Sequence, residues 1–239
     1  MARLRWGILG AAKIAREWVA PAIHASDRGE LAAVASLTLG KAETADLIAA
    51  VGDRAAGRAR VIAGVGTYDT SDSIERARAA AAAGAHALLV VTPYYSRPTQ
   101  AGIIAHTTAI ADATELPVML YDIPVRAGVA LAPDTLRALA AHPRIRAVKD
   151  AKGDLYEAMS VMADTGLAYY CGIDELNLPY LACGATGVVT VVGNAVPDRI
   201  AELIARSFTL SQAARLLRSI PGIGPVVATA LLALMPELG

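Results

Sequence analysis

Phenylalanine occurs once in this chain, tryptophan twice and cysteine twice, and aromatic residues supply only 5% of its 239 positions. A core of stacked rings is excluded. The 55% hydrophobic share therefore rests on alanine and branched aliphatic side chains, as in layered α/β proteins. With so little cysteine there is no disulfide framework. Cys171 and Cys183 have no metal spacing either, and a reducing cytoplasm fits them. An excess of one charge is also missing: Lys plus Arg and Asp plus Glu both total 22. No net field then attracts nucleic acid or an acidic membrane. His24, His86, His106 and His142 show no paired metal spacing, so no metal is expected. Long apolar runs are absent too. Arg3, Arg5, Lys13, Arg16 and Glu17 break up residues 1–25, so no signal-peptide core is expected. Nothing approaches the roughly twenty uncharged apolar residues of a membrane helix. The composition describes a soluble, cytoplasmic protein with a large core.

What the chain does have is alternation. Strand-like segments at 4–9, 31–36, 60–66, 86–95, 117–122, 145–149, 167–172 and 187–192 alternate with helical segments at 12–26, 43–51, 71–84, 99–113, 133–142, 154–163, 174–183 and 197–206. The strands are short, apolar and rich in Val, Ile and Leu, the pattern of parallel strands buried on both faces with helical crossovers. Eight such units predict an α/β fold, a (β/α)8 TIM barrel over residues 1–206. An open doubly wound sheet is the alternative, since periodicity does not separate the two. Residues 207–239 are expected to form a helix-hairpin-helix extension. Either fold gathers active groups at the carboxyl ends of its strands.

Lys149 stands at such an end, closing the apolar run Ile145, Ala147, Val148. A lysine held among apolar strands loses hydration, which favours its neutral form, and a neutral amine can attack a ketone to form a Schiff base. A proton carrier and a cation for a substrate carboxylate should lie nearby. The preceding strand and its loop, 117-PVMLYDIPVRAG-128, offer Tyr121 for the first role and Arg126 for the second.

Five segments carry a wider resemblance: 61-VIAGVGTYDT-70, 87-ALLVVTPYYSRPTQ-100, 119-MLYDIPVRAG-128, 147-AVKDAKGD-154 and 171-CGIDELNLPYLACGATGVVTV-191. Across residues 43–204 the chain resembles the dihydrodipicolinate synthase / N-acetylneuraminate lyase family of class I aldolases, the synthases most closely. The resemblance implies a pyruvate-dependent barrel lyase that condenses pyruvate with an aldehyde, aspartate semialdehyde in the synthases. It implies that Lys149 carries the imine and that Tyr121 shuttles protons. Tyr95 would complete a hydroxyl relay across a dimer interface, so a homo-oligomer is expected. Arg126 would guide the second substrate's carboxylate, and Gly172 and the Val189 carbonyl would line the pyruvate pocket. No cofactor is implied, because the lysine imine is itself the electron sink.

Two positions depart from the family's pattern. Where a Gly-Thr-Thr-Gly-Glu segment is usual, this chain reads 36-SLTLGKAE-43, with Thr38 as the remaining hydroxyl and Leu39 in the place of its neighbour. Val125 replaces the usual glycine before the arginine. The ends raise other resemblances. Residues 3–36 resemble the opening βαβ of the Gfo/Idh/MocA nicotinamide-dependent oxidoreductases, with Gly7, Gly10 and Ala12 in the glycine-rich turn. A lone glycine motif is weak support for dinucleotide binding, and NAD(P) is not the expected ligand. Residues 213–239 resemble the helix-hairpin-helix of IS110/IS116-type transposases. No basic residue follows Arg218, so nucleic acid is not an expected partner. A chimera is one reading of these ends. The functional alternatives to an aldolase are a catalytically silent chimeric barrel and a nicotinamide-dependent oxidoreductase fragment.

Overall fold

The structure, a computed structural model, describes residues 4–9, 29–35, 41–55, 60–196 and 199–200. All eight expected strands are present in order: β1 Leu4–Leu9, β2 Gly29–Ala35, β3 Ile62–Gly64, β4 Ala87–Val91, β5 Val118–Asp122, β6 Ile145–Asp150, β7 Ala168–Cys171 and β8 Gly187–Val188. Every pairing between them is parallel. Strands β3 to β8 form one six-stranded sheet in sequence order, and β1 and β2 form a separate two-stranded ladder. Among the described residues this is a half-barrel plus a pair of strands, rather than the closed eight-stranded ladder expected. The hairpin expected at 207–239 and the turn residues Gly10 and Ala12 lie outside the described residues, as does Thr38. Gly7 sits within β1, in register with Ala33 beside an irregularity in the ladder.

Local chemistry starts the crossover helices. Asp69 caps α2 (Thr70–Ala82) by accepting from the Asp72 amide at 2.8 Å, once α1 (Lys41–Ala55) has crossed from β2. Thr99 does the same for α3 (Gln100–Asp112) through Gly102, and Asp154 for α6 (Leu155–Thr165) through Glu157. Each such cap contributes about 1 kcal/mol. Between α3 and α6, Pro124 opens the one-turn helix α4 (Pro124–Ala127) and Pro133 opens α5 (Pro133–Ala140), where a missing N–H costs nothing. After β7 comes α7 (Asn177–Ala182).

Strand alternation divides the sheet into two faces. Leu88, Val90, Val118, Leu120, Val148, Tyr169 and Cys171 are buried and share a core with Ile103, Ile110, Leu136, Leu139, Ala158 and Val161 of the helices. The other face carries a row at one level, in which Val91 pairs with Tyr121, Tyr121 with Lys149, Lys149 with Tyr170, and Tyr170 with Gly187. Tyr121, Lys149 and Tyr170 are only half-buried. That row is where the strands stop.

Candidate active site

Lys149 is brought to Tyr121 by strand register alone, although 28 positions of chain separate them in sequence. Its Nζ lies 3.9 Å from the centroid of the Tyr121 ring, within the range of a cation–π contact when the amine is protonated. Nζ makes no hydrogen bond or ion pair among the described residues. Burial lowers the Lys149 pKa from its ordinary 10.5, and the negative charge of Asp174 opposes the shift. The result is an amine easier to deprotonate than a surface lysine. Burial raises the Tyr121 pKa, and the Arg126 guanidinium works against that rise. The phenol therefore keeps its proton at neutral pH and can donate it.

Gly172 follows β7, and its amide donates to the Asp150 carbonyl at 2.7 Å. A Cβ there would stand 3.1 Å from that same carbonyl oxygen and 3.2 Å from both Cγ and Cε of Lys149. The glycine makes room for the lysine's aliphatic stem. Gly187 makes a similar allowance, since a Cβ on it would meet the Tyr170 ring at 3.2 Å. Val189 continues β8 by one bond, from its amide to the Cys171 carbonyl at 2.7 Å. Gly172 thus lies against Lys149 at the end of β7, and Val189 extends β8 along the other edge of that strand.

Arg126 sits in α4, exposed, with no ion-pair partner among the described residues. Its charge reaches the Tyr121 phenol. Val125, where the family usually has glycine, is 85% exposed, so its side chain extends into solvent and does not crowd the arginine. Tyr95 is not brought to the lysine. It is 93% exposed, with a φ of 70° that a tyrosine rarely adopts. Its neighbour Tyr94 makes the ring contact instead, edge-on to Tyr68 with centroids 5.5 Å apart.

Sequence reading did not single out Asp174. It opens the 3-10 turn Asp174–Leu176 after β7 and accepts from the Thr190 hydroxyl, from the Val191 and Val192 amides at 3.0 Å each, and from Asn177 Nδ2 at 3.1 Å. Partial burial works against its charge, but these hydrogen bonds hold its carboxyl below the usual range. Its only signal in the sequence is its position two residues beyond Gly172. A second polar group was also missed on the helix-facing side of the sheet. There Asp122 and Asp150 pair in register, and Lys152 Nζ lies 3.6 Å from Asp122 Oδ2 and bonds Glu157. Asp122 Oδ1 accepts from the Leu131 amide at 3.2 Å, which fastens the loop behind Tyr121.

No group of three or more metal-ligating side chains occurs among the described residues, and no helix among them is long and apolar enough to cross a membrane. Residues 33–220 match the dihydrodipicolinate synthetase family. The chain belongs to that family. Its relatives include the 4-hydroxy-tetrahydrodipicolinate synthase of Mycobacterium leprae, 58% identical over 158 residues, 66% of this chain and 51% of that protein. The enzyme of the same name from Mycolicibacterium paratuberculosis is 53% identical over 76% of this chain and 62% of its own length. The chain thus spans about half to three-fifths of the length of these curated relatives.

Solved structures of the dihydrodipicolinate synthetase family share the fold. One from Cyanidioschyzon merolae, with lysine bound, superposes with a TM-score of 0.71 at 30% identity, covering 98% of this chain and 88% of that one. Another from Acinetobacter baumannii, complexed with pyruvate, gives 0.68 at 34% identity over 84% of this chain and 73% of that one. The α/β TIM-barrel expectation stands on these neighbours and on the half-barrel itself. The expected oxidoreductase and transposase origins of the two ends find no support, and neither does a chimera. The physical reason at the amino end is plain: a glycine between a parallel strand and its crossover helix serves any α/β unit, a barrel's first as well as a dinucleotide fold's.

Proposed function

We propose that the protein is a pyruvate-dependent class I aldolase of the 4-hydroxy-tetrahydrodipicolinate synthase type. The observation that carries this reading is the Lys149 amine, free of hydrogen bonds among the described residues, half-buried and 3.9 Å from the Tyr121 ring. The neutral amine attacks the ketone carbon of pyruvate, and with one proton taken up water leaves to give a protonated imine. Loss of a methyl proton yields the enamine, whose carbon attacks the aldehyde of the second substrate. Tyr121 moves protons in these steps. Arg126 binds the second substrate's carboxylate, and by family likeness that substrate is aspartate semialdehyde. Water finally releases the product from Lys149. The imine does the work of an electron sink, so no further cofactor enters the scheme.

Thr38 binds the pyruvate carboxylate in this reading, with Gly172 and the Val189 carbonyl around the ketone. Tyr95 acts across an interface between two copies of the chain. Its exposure suits that role better than a role within one subunit. The working protein is then a homo-oligomer, and the free thiols Cys171 and Cys183 suit a cytoplasmic setting. The test is consumption of pyruvate on addition of aspartate semialdehyde by the purified chain, with Lys149→Ala as control. Turnover lost in the variant supports the proposal. A folded wild-type chain with no turnover and no imine returns it to a catalytically silent barrel.

A further inference from the structure

Resting on that aldolase reading, we propose that Asp174 is a positioning residue for imine formation: its carboxylate holds the turn after β8 that walls the pyruvate pocket and supplies the counter-charge to the Lys149 iminium. The sheet ladder stops at Val188, and Val189 adds one bond beyond it. Past that point little apolar packing fixes the chain, since Val191 is 64% and Val192 46% exposed. The turn is held instead by Asp174, through the Thr190 hydroxyl and the two consecutive amides of Val191 and Val192. The Thr190 oxygen also accepts from the Gly193 amide at 2.9 Å, so one carboxylate and one hydroxyl organise the segment. Asn177, buried at 2% exposure, donates to the same carboxylate from the start of α7. Four donors converging on one acid leave it ionised and rigid.

The charge is placed to matter. Lys149 faces Tyr121 from β5 and Tyr170 from β7. Gly172, two residues before Asp174, packs against the Lys149 stem, and the Asp174 charge acts on the amine, while Arg126 acts on the Tyr121 phenol. Asp174 is the one carboxylate named among these groups. When the neutral amine adds to pyruvate and water leaves with the uptake of one proton, a positive iminium appears where the amine was neutral, and a fixed carboxylate stabilises it.

The test is borohydride trapping of the pyruvate imine across pyruvate concentration and pH, in the full chain, with folding followed by circular dichroism. Asp174→Asn should raise the pyruvate concentration for half-maximal trapping by about tenfold or more, as loss of charge-assisted hydrogen bonds implies. It should also move the pH midpoint of trapping downward, because the ammonium loses its counter-charge. Thr190→Val keeps the charge and removes one tie, so it should raise the half-saturating concentration without moving the midpoint. A folded Asp174→Asn with both quantities unchanged overturns the proposal. If Asp174→Asn does not fold, an unchanged half-saturation in Thr190→Val overturns it. A folded wild-type chain that traps no pyruvate removes the aldolase reading and this proposal together, whereas wild-type trapping with indifferent variants sinks the proposal alone.

Discussion

Lys149 and Tyr121 occupy one level of two adjacent parallel strands, with the amine 3.9 Å from the ring centroid. The ring gives the lysine an apolar wall and the phenol gives the pocket a proton, so the two contributions can be separated. Tyr121→Phe keeps the wall and removes the hydroxyl. Imine trapping with pyruvate should survive in this variant, while turnover falls by about a hundred- to ten-thousand-fold. Steady-state rates and trapping measured on the same preparation check both halves.

Gly172 is occupied on two sides, by the Asp150 carbonyl and by the Lys149 stem. Gly172→Ala must displace one of them, and the lysine is the more mobile. The expected result is a folded protein, less stable by about 1–3 kcal/mol, in which pyruvate trapping at Lys149 is strongly reduced. Denaturant unfolding and adduct mapping would show it.

The departure at Val125 should be silent. With the side chain 85% exposed, Val125→Gly should change stability by less than about 1 kcal/mol and leave pyruvate trapping unaltered. Chemical denaturation alongside trapping tests this, and a large gain on restoring the glycine would mean that the valine misplaces Arg126.

Asp122 gives a pH dependence with a definite sign. Burial pushes its carboxyl up to about 6, against the pull of the Leu131 amide and Lys152. The folded chain therefore holds this proton more tightly than the unfolded chain, whose carboxyl has the ordinary value of 3.8. The resulting stabilisation is complete below about 3.8 and is lost as pH rises through about 6. It amounts to something on the order of 2–3 kcal/mol. Asp122→Asn keeps an acceptor for Leu131 and cannot ionise. Its unfolding free energy should lack this decline between pH 4 and 6, as equilibrium unfolding across that range would reveal.

The order of the eight strands was legible because each is a short apolar run set off by an amphipathic crossover. Their ends were less so. The strand expected to run to Tyr95 stops at Val91, just before Thr92 and Pro93, where proline has no N–H for the ladder. The strand expected to reach Val192 stops at Val188, and after one further ladder bond from Val189 the amides of Val191 and Val192 turn to the Asp174 side chain. That Lys149 and Tyr121 lie together could be read from the sequence because motif and strand end coincide there. Tyr170 and Asp174 could not, because parallel register sets Tyr170 beside the lysine and only the turn after β7 lets the charge of Asp174 act on it. Tyr95 shows the opposite limit: its motif is plain in the sequence, but within one chain its side chain is exposed.

The most direct test of the account is to incubate the purified chain with pyruvate and borohydride and map the adduct by mass. A single reduced pyruvate adduct on Lys149, absent in Lys149→Ala, is the predicted result. A folded protein with no adduct, or with adducts spread over other lysines, would contradict it.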